Sequence, residues 1–402
     1  MKKSIVTLKP QYMNEFQCTG NACSDTCCSG WKVNIDKQTY KKYKKIKDRE
    51  VATKIANYIK KENTLSTDNV ACIQTNAGAC VFLHDGLCEI QLKYGEEYLS
   101  KTCLTYPRIF NIVDQQVELS ANMSCPETAR LALLNQELMQ FDVVEEMLDV
   151  RHIIKQKIET KQSVWNSCFW EIRIFTIEIL QNRSYSVSDR LIFLGLFCEK
   201  LASVSSSENR SQIVNVVTEF RMRLDSSDTV KEISKLPQAY HVHLSIFKEI
   251  LQTQTNIHHN RLRNYNNEAL QAFDFESSDK DAILSKYIKG CNEYYVPFID
   301  EHSYILENYL VNQVFHRLFL FKEGSNILEE YLRLSILFST VRFYLQGVAV
   351  FEKKMTPEKA VDIIQALSKS IEHSSSYLNL LSSKIMNTKV DKWAFLITLL
   401  KQ

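Results

Sequence analysis

Phe16-Gln17-Cys18-Thr19-Gly20-Asn21-Ala22-Cys23-Ser24-Asp25-Thr26-Cys27-Cys28-Ser29-Gly30-Trp31 carries four thiols within eleven residues, on a segment with a glycine near each end. Thiolates this close in sequence reach one ion or cluster with little loop-closure cost. Gly20 and Gly30 let the backbone wrap it tightly. Further along stand Cys80, Cys88 in Asp85-Gly86-Leu87-Cys88, Cys103 in Ser100-Lys101-Thr102-Cys103, and Cys125 in Ser124-Cys125-Pro126-Glu127. The eight candidate metal ligands are therefore Cys18, Cys23, Cys27, Cys28, Cys80, Cys88, Cys103 and Cys125. Two sets of four suit one 4Fe–4S cluster plus a zinc, two zincs, or one cluster with spare structural cysteines.

Nine of the twelve cysteines fall between residues 18 and 125, the ninth being Cys72, which is left out of the ligand set. In a secreted protein this clustering would suggest disulfides, whereas in a reduced compartment it reads as metal binding or redox chemistry. Cys168, Cys198 and Cys291 sit in apolar helical stripes and read as core residues. The expected compartment is the cytoplasm. Met1-Lys2-Lys3 has no apolar h-region behind it, and the longest apolar run, Leu191 to Cys198, falls far short of a membrane span of about 18 residues. A formal net charge of +2 on 402 residues lacks the footprint of a nucleic-acid binder. The expected partners thus include neither nucleic acid nor membrane.

With 9 Gly and 6 Pro in the whole chain, breakers are too few for an all-β architecture, and long helices are expected. The predicted fold is mainly α: an irregular cysteine-rich metal-binding module over 1–128, then an α-helical domain over 129–402. In the module, Asp36 is a candidate N-cap for a helix placing Tyr40, Tyr43 and Ile46 on one face, with a solvated lysine face opposite. The polar stretch from Lys60 to Asn69 reads as a surface loop. In the helical half, Trp165, Cys168, Ile172, Phe175 and Ile179 form one stripe, and Leu306, Leu310, Val314, Leu318 and Phe321 another. Ser188-Asp189 is a candidate cap for the helix carrying Leu191 to Leu201. Thr356-Pro357-Glu358 starts a helix whose buried face holds Ile364, Leu367 and Ile371.

Several motifs are missing. Cys23 and Cys27 have Gly30, not a third cysteine, at the radical S-adenosylmethionine spacing. There is no G-x-G-x-x-G fingerprint, no P-loop and no His-Glu-x-x-His. His84, in a turn, and His258-His259 read as surface residues.

At its cysteines the sequence resembles the flagellin lysine N-methylase family, whose N-terminal part is similar to a broader cysteine-cluster family that binds zinc or iron–sulfur. The matching pieces are Cys18 with Cys23, Asp25-Thr26-Cys27-Cys28-x-Gly30-Trp31, Cys80-x-Phe82-Leu83 and Gly86-Leu87-Cys88-x-Ile90. They continue with Gly95-Glu96, Leu99-Ser100-x-x-Cys103, Tyr106-Pro107-Arg108 and Ser124-Cys125-Pro126-Glu127. In the helical half, Glu307-Asn308-Tyr309-Leu310-x-Asn312 and Phe315 to Phe321 match a second block, with Leu320 where proline is expected. The resemblance implies methyl transfer from S-adenosylmethionine to lysine side chains of flagellin before export, beside a cysteine-held iron–sulfur cluster or zinc. The residues alone leave two rivals: a metal-stapled scaffold that binds a protein, or an iron–sulfur redox module. No motif marks a general base or the donor-binding residues. Tyr294 and Tyr295, in Glu293-Tyr294-Tyr295-Val296-Pro297, are either core aromatics or the lining of a pocket for sulfonium or ammonium groups.

Overall fold

The computed structural model describes residues 2–31, 33–62, 68–76, 78–226, 228–238, 240–253, 260–275, 279–324, 326–371 and 392–401. His258, His259 and the middle of the expected loop at 60–69 lie outside these residues. The chain folds into two compact units, one of residues 1–131 and 141–155, the other of 132–140 and 156–402. Helix predominates, so the mainly α reading holds.

The first unit is not irregular, and here the sequence reading is corrected. A five-stranded sheet runs in the order Phe141–Asp149, Lys2–Pro10, Gln116–Ala121, Arg108–Val113, Ile154–Ile158. Lys2–Pro10 pairs antiparallel with Phe141–Asp149 from Lys2↔Asp149 to Pro10↔Phe141, and parallel with Gln116–Ala121 at Thr7↔Val117. The helical pattern expected from residue 129 is thus interrupted by two strands. Phe141–Asp149 alternates only weakly and is largely half-exposed, so its strand comes from a partner far back in sequence rather than from its own period.

A second sheet, Val33–Asp36, Asn69–Ile73 and Ile59–Lys61 in that order, carries the helices Lys37–Tyr43 and Arg49–Tyr58. Its apolar face holds Val33, Ile35, Tyr43, Val51, Ile55, Ala71 and Ile73, and Phe82, Ile90, Leu99 and Leu104 extend this core beneath Cys80, Cys88 and Cys103. Asp36 is the expected N-cap: its carboxylate accepts from the N–H groups of Gln38 (3.1 Å) and Thr39 (3.0 Å), the Thr39 hydroxyl (2.7 Å) and the Lys101 N–H (3.1 Å). Burial pushes this carboxyl up, but the Thr39 and Lys101 donors outweigh it and hold it below its ordinary value. Asp36→Ala is expected to cost on the order of 2 kcal/mol near neutral pH. A carboxyl depressed on folding stabilises above its unfolded pKa of about 3.9 and loses that contribution as pH falls through the lower folded value. The gap between wild type and variant, read by urea denaturation, should therefore close below about pH 4.

The second unit is built around the helix Ile327–Glu352, buried almost all round. Length and composition alone would let this helix cross a membrane, yet 89% of its most apolar window is buried. Helices Val187–Val204 and Asn260–Phe273 pack on it. Gly347 permits the second approach, since a methyl there would stand 2.5 Å from the Ala269 Cβ. Phe247 and Phe343 stack at 3.9 Å between ring centroids. The Trp165–Ile179 stripe is split: Val164–Ser167 and Phe169–Gln181 meet at Cys168, whose backbone leaves the helical region. The cap of Val187–Val204 is Ser186, whose hydroxyl accepts from the Asp189 N–H, not Ser188. Thr356 caps Pro357–Ile371 as expected, accepting from the Lys359 N–H at 3.2 Å.

Candidate functional site

Cys27, Cys80, Cys88 and Cys103 share one neighbourhood in the first unit. Cys80 ends the two-residue strand Ala79–Cys80 and Cys88 ends Leu87–Cys88. Cys103 sits in the short helix Lys101–Thr105, capped by the Ser100 hydroxyl. The Cys27 turn is tied to the first of these strands by Cys80 N–H to Cys28 O (2.7 Å) and Gly30 N–H to Gly78 O (3.1 Å). Burial pushes the Cys80 thiol up to about 11; the Phe82 N–H works against the rise, and Cys88 and Cys27 add to it. Burial likewise raises Cys88, against the N–H groups of Gln91 and Ile90. Cys103 is pushed up to about 12 by burial, with Cys88, Cys80 and Cys27 contributing. These thiols thus influence one another electrostatically, with Cys80, Cys88 and Cys103 half-buried and Cys27 exposed.

A second neighbourhood gathers Cys125, Cys23, Cys18 and Arg108. Burial pushes Cys125 up to about 11 against the N–H groups of Thr128 and Glu127, and Cys23 adds to the rise. Burial lowers Arg108, while Cys18 and Cys125 are among the groups opposing that fall. Between the two neighbourhoods stands Tyr106, its ring 5.4 Å from Trp31 and its hydroxyl 2.9 Å from the Ser124 Oγ. The Trp31 indole N–H donates to Cys27 O at 2.7 Å. Residues spread from 27 to 125 in the sequence blocks therefore meet around the cysteines. Cys28 is held through its backbone, and Cys72 lies in the sheet core with its sulfur 3.1 Å from Glu62 Oε1. His84 is exposed, as expected.

Among the described residues no three His, Cys, Asp or Glu side chains are drawn together closely enough to hold a metal ion. The donor set nevertheless fits one chemically. Four thiols on four segments influence one another, and nearby backbone N–H groups favour the thiolate forms of Cys80 and Cys88, as donors do at metal-bound thiolates.

The second unit encloses a cavity of about 560 Å3, within the range of small-molecule sites. Its wall includes Arg183, Arg190, Tyr240, Tyr287, Tyr295, Asp300 and Arg342. One side is the π-helical segment Cys291–Tyr295, joining helix Lys280–Gly290 to Val296–His302. Such a bulge frequently marks a functional position because it re-aims side chains out of helical register. It separates the two tyrosines considered above: Tyr295 is buried and lines the cavity, while Tyr294 bonds Glu293 at 2.6 Å. Cys291, expected in the core, is buried but also lines the cavity. Behind the wall, buried Glu307 accepts from Arg190 Nη1 (2.7 Å) and Arg183 Nη2 (2.8 Å). Asn308 donates to Asn135 O at 2.7 Å. The block around 307–312 is therefore the polar anchor of this cavity. Leu320 has φ 68°, a conformation closed to proline, which accounts locally for the departure at that position. Arg342 and Asp300 were not singled out from the sequence, although an arginine inside the apolar run from Ile336 to Val350 was a visible signal.

Fold and cavity define a two-unit, mainly helical protein with a cysteine-bearing α+β unit and a helical unit enclosing a ligand-sized space. Residues 173–399 match the family described as the FliB lysine N-methylase C-terminal domain, and the chain belongs to that family. It is 30% identical over 180 residues to the flagellar biosynthetic protein FliU of Salmonella muenchen, covering 42% of this chain and 99% of that protein. It is 32% identical over 161 residues to a lysine-N-methylase of Salmonella typhimurium, covering 39% of this chain and 38% of that protein. The alignment thus spans well under half the length of that methylase. No solved structure matches. The family match begins beyond Cys125, so it bears on the cavity unit and not on the cysteines.

Proposed function

We propose that this chain is a protein-lysine N-methyltransferase acting on flagellin in the cytoplasm, with S-adenosylmethionine as donor. The observation that carries the reading is the family match over 173–399, which takes in the cavity and its Glu307 anchor. The reaction is a displacement at a sulfonium methyl and needs a neutral amine. A lysine with a pKa near 10.4 costs about 4 kcal/mol to deprotonate at pH 7.5, so desolvation or a base has to supply that amount. Cys27, Cys80, Cys88 and Cys103 would hold an iron–sulfur cluster, with zinc as the alternative occupant. The metal would supply the positive charge that a desolvated set of thiolates requires. The chain's own share there is to favour thiolates, through Ser100 at Cys103 and the Phe82, Ile90 and Gln91 N–H groups at Cys80 and Cys88.

Intact-protein mass spectrometry of unmodified flagellin, incubated with the anaerobically purified protein and S-adenosylmethionine, should show mass added in steps of one methyl group on lysines. The rate should fall about tenfold per pH unit below neutrality, as the neutral amine fraction drops. Unchanged flagellin mass, together with no donor binding by calorimetry, would leave the scaffold reading in possession.

A further inference from the structure

Among the described residues Arg342 is a buried cation with no carboxylate partner. Its guanidinium donates to three neutral oxygens: Ser188 Oγ (2.9 Å), Leu400 O (2.7 Å) and Leu399 O (2.8 Å). Its Nε–H has no hydrogen-bond partner, and no carboxylate pairs with it among the described residues. The side chain is 4% exposed and lines the 560 Å3 cavity. A buried charge with no opposite charge beside it costs several kcal/mol, and an arginine in a cavity wall whose hydrogen bonds go only to neutral oxygens is a place where an anionic group fits. The other arginines of the wall are already committed, since Arg183 and Arg190 share Glu307.

Opposite in character is the rim. Among the described residues, exposed Asp300 is the one acidic member of the lining, and it makes no ion pair. Tyr240, Tyr287 and Tyr295 supply aromatic surface to the same cavity. The Tyr287 hydroxyl is fixed by Gln346 Oε1 at 3.1 Å. A buried guanidinium, tyrosine faces and an exposed carboxylate together complement a small zwitterion: carboxylate inward, cationic centre against the rings and the acid.

We infer that this cavity is the methyl-donor site, with Arg342 taking the α-carboxylate of the donor's amino-acid end and Tyr295 and Asp300 facing its cationic end. The inference rests on the methyltransferase reading and gives it a location. A target lysine is the poorer occupant, because its side chain offers no anion to Arg342.

The test uses the full chain and two probes differing at one end: S-adenosylhomocysteine, which carries the carboxylate, and 5′-methylthioadenosine, which lacks the amino-acid group. Wild type should bind the first more tightly by about 10- to 100-fold, the scale of one hydrogen-bonded charge. Arg342→Met should lose that preference while its affinity for 5′-methylthioadenosine changes little. Because Arg342 also ties down the chain at Leu399 and Leu400, Val296→Trp provides a second variant. Val296 lines the cavity and is 37% exposed, so tryptophan there should block both probes while circular dichroism and Tm stay near wild type. If wild type binds S-adenosylhomocysteine and both folded variants bind it equally well, the donor sits elsewhere and only this location falls. If wild type binds neither probe and methylates nothing, the methyltransferase reading falls with it.

Discussion

Cys103→Ser, Cys80→Ser and Cys88→Ser should each strip most of the iron from anaerobically purified protein and destabilise the first unit by several kcal/mol. The three thiols and Cys27 influence one another electrostatically, and all but Cys27 pack on the core that joins the small sheet to the helices. Metal binding at structural thiolate sites is folding free energy, on the order of 10 kcal/mol for zinc-held peptides, so removing one ligand of four forfeits much of it. Cys72→Ser is the internal control: its sulfur meets Glu62 and Gln74 within the sheet, so metal content should be unchanged. Cys168→Ala should cost only a packing contribution of about 1 kcal/mol. Iron, sulfide and zinc analysis with an absorption spectrum reads all five variants together. Equal metal loss from Cys72→Ser and Cys103→Ser would dissolve the grouping. A colourless wild type with zinc as its only metal would replace the iron–sulfur assignment.

The second large effect belongs to Glu307→Ala. Glu307 is 1% exposed and receives two guanidinium groups, one of them the buried Arg190. Arg190 retains hydrogen bonds to Leu180 O and Tyr185 O, but its charge would have no counter-ion left. Breaking a buried pair by removing one partner costs about 3–5 kcal/mol, chiefly because the remaining charge stays desolvated. The exposed pair Arg221–Glu178 sets the comparison, and Glu178→Ala should cost no more than about 1 kcal/mol. Chemical denaturation followed at the tryptophans separates the two outcomes. A loss below about 1 kcal/mol for Glu307→Ala would mean that the trio is not what anchors the cavity wall.

What the sequence determined by itself was local. Asp36 and Thr356 were legible as caps because a cap is made by a side chain and N–H groups two or three residues on. The apolar stripes were legible as buried residues because burial on one helix face imposes its period on positions a few residues apart, although the helix of the second ends at Arg317, short of Leu318 and Phe321. Cysteine density, likewise, could be counted. Even here the fine placement slipped, by two residues at the cap Ser186, and the break at Cys168 went unread, since neighbouring serines or apolar residues were equally good candidates.

Tertiary structure decided everything that joins distant residues. The strand Phe141–Asp149 exists because Lys2–Pro10 offers a nine-residue edge, a pairing across more than a hundred residues that weak alternation could not announce. The division of the thiols into Cys27 with Cys80, Cys88 and Cys103, and Cys125 with Cys23, follows from how the strands and the Cys27 turn hydrogen-bond. Spacing alone allowed many divisions. Arg342 stood in plain view inside an apolar run, yet its significance is that no carboxylate among the described residues pairs with it, and that depends on which helices surround it. Local order is set by interactions whose partners lie within one turn. A site is set by desolvation and charge pairing among groups brought together only when the chain closes, so its meaning appears with the fold.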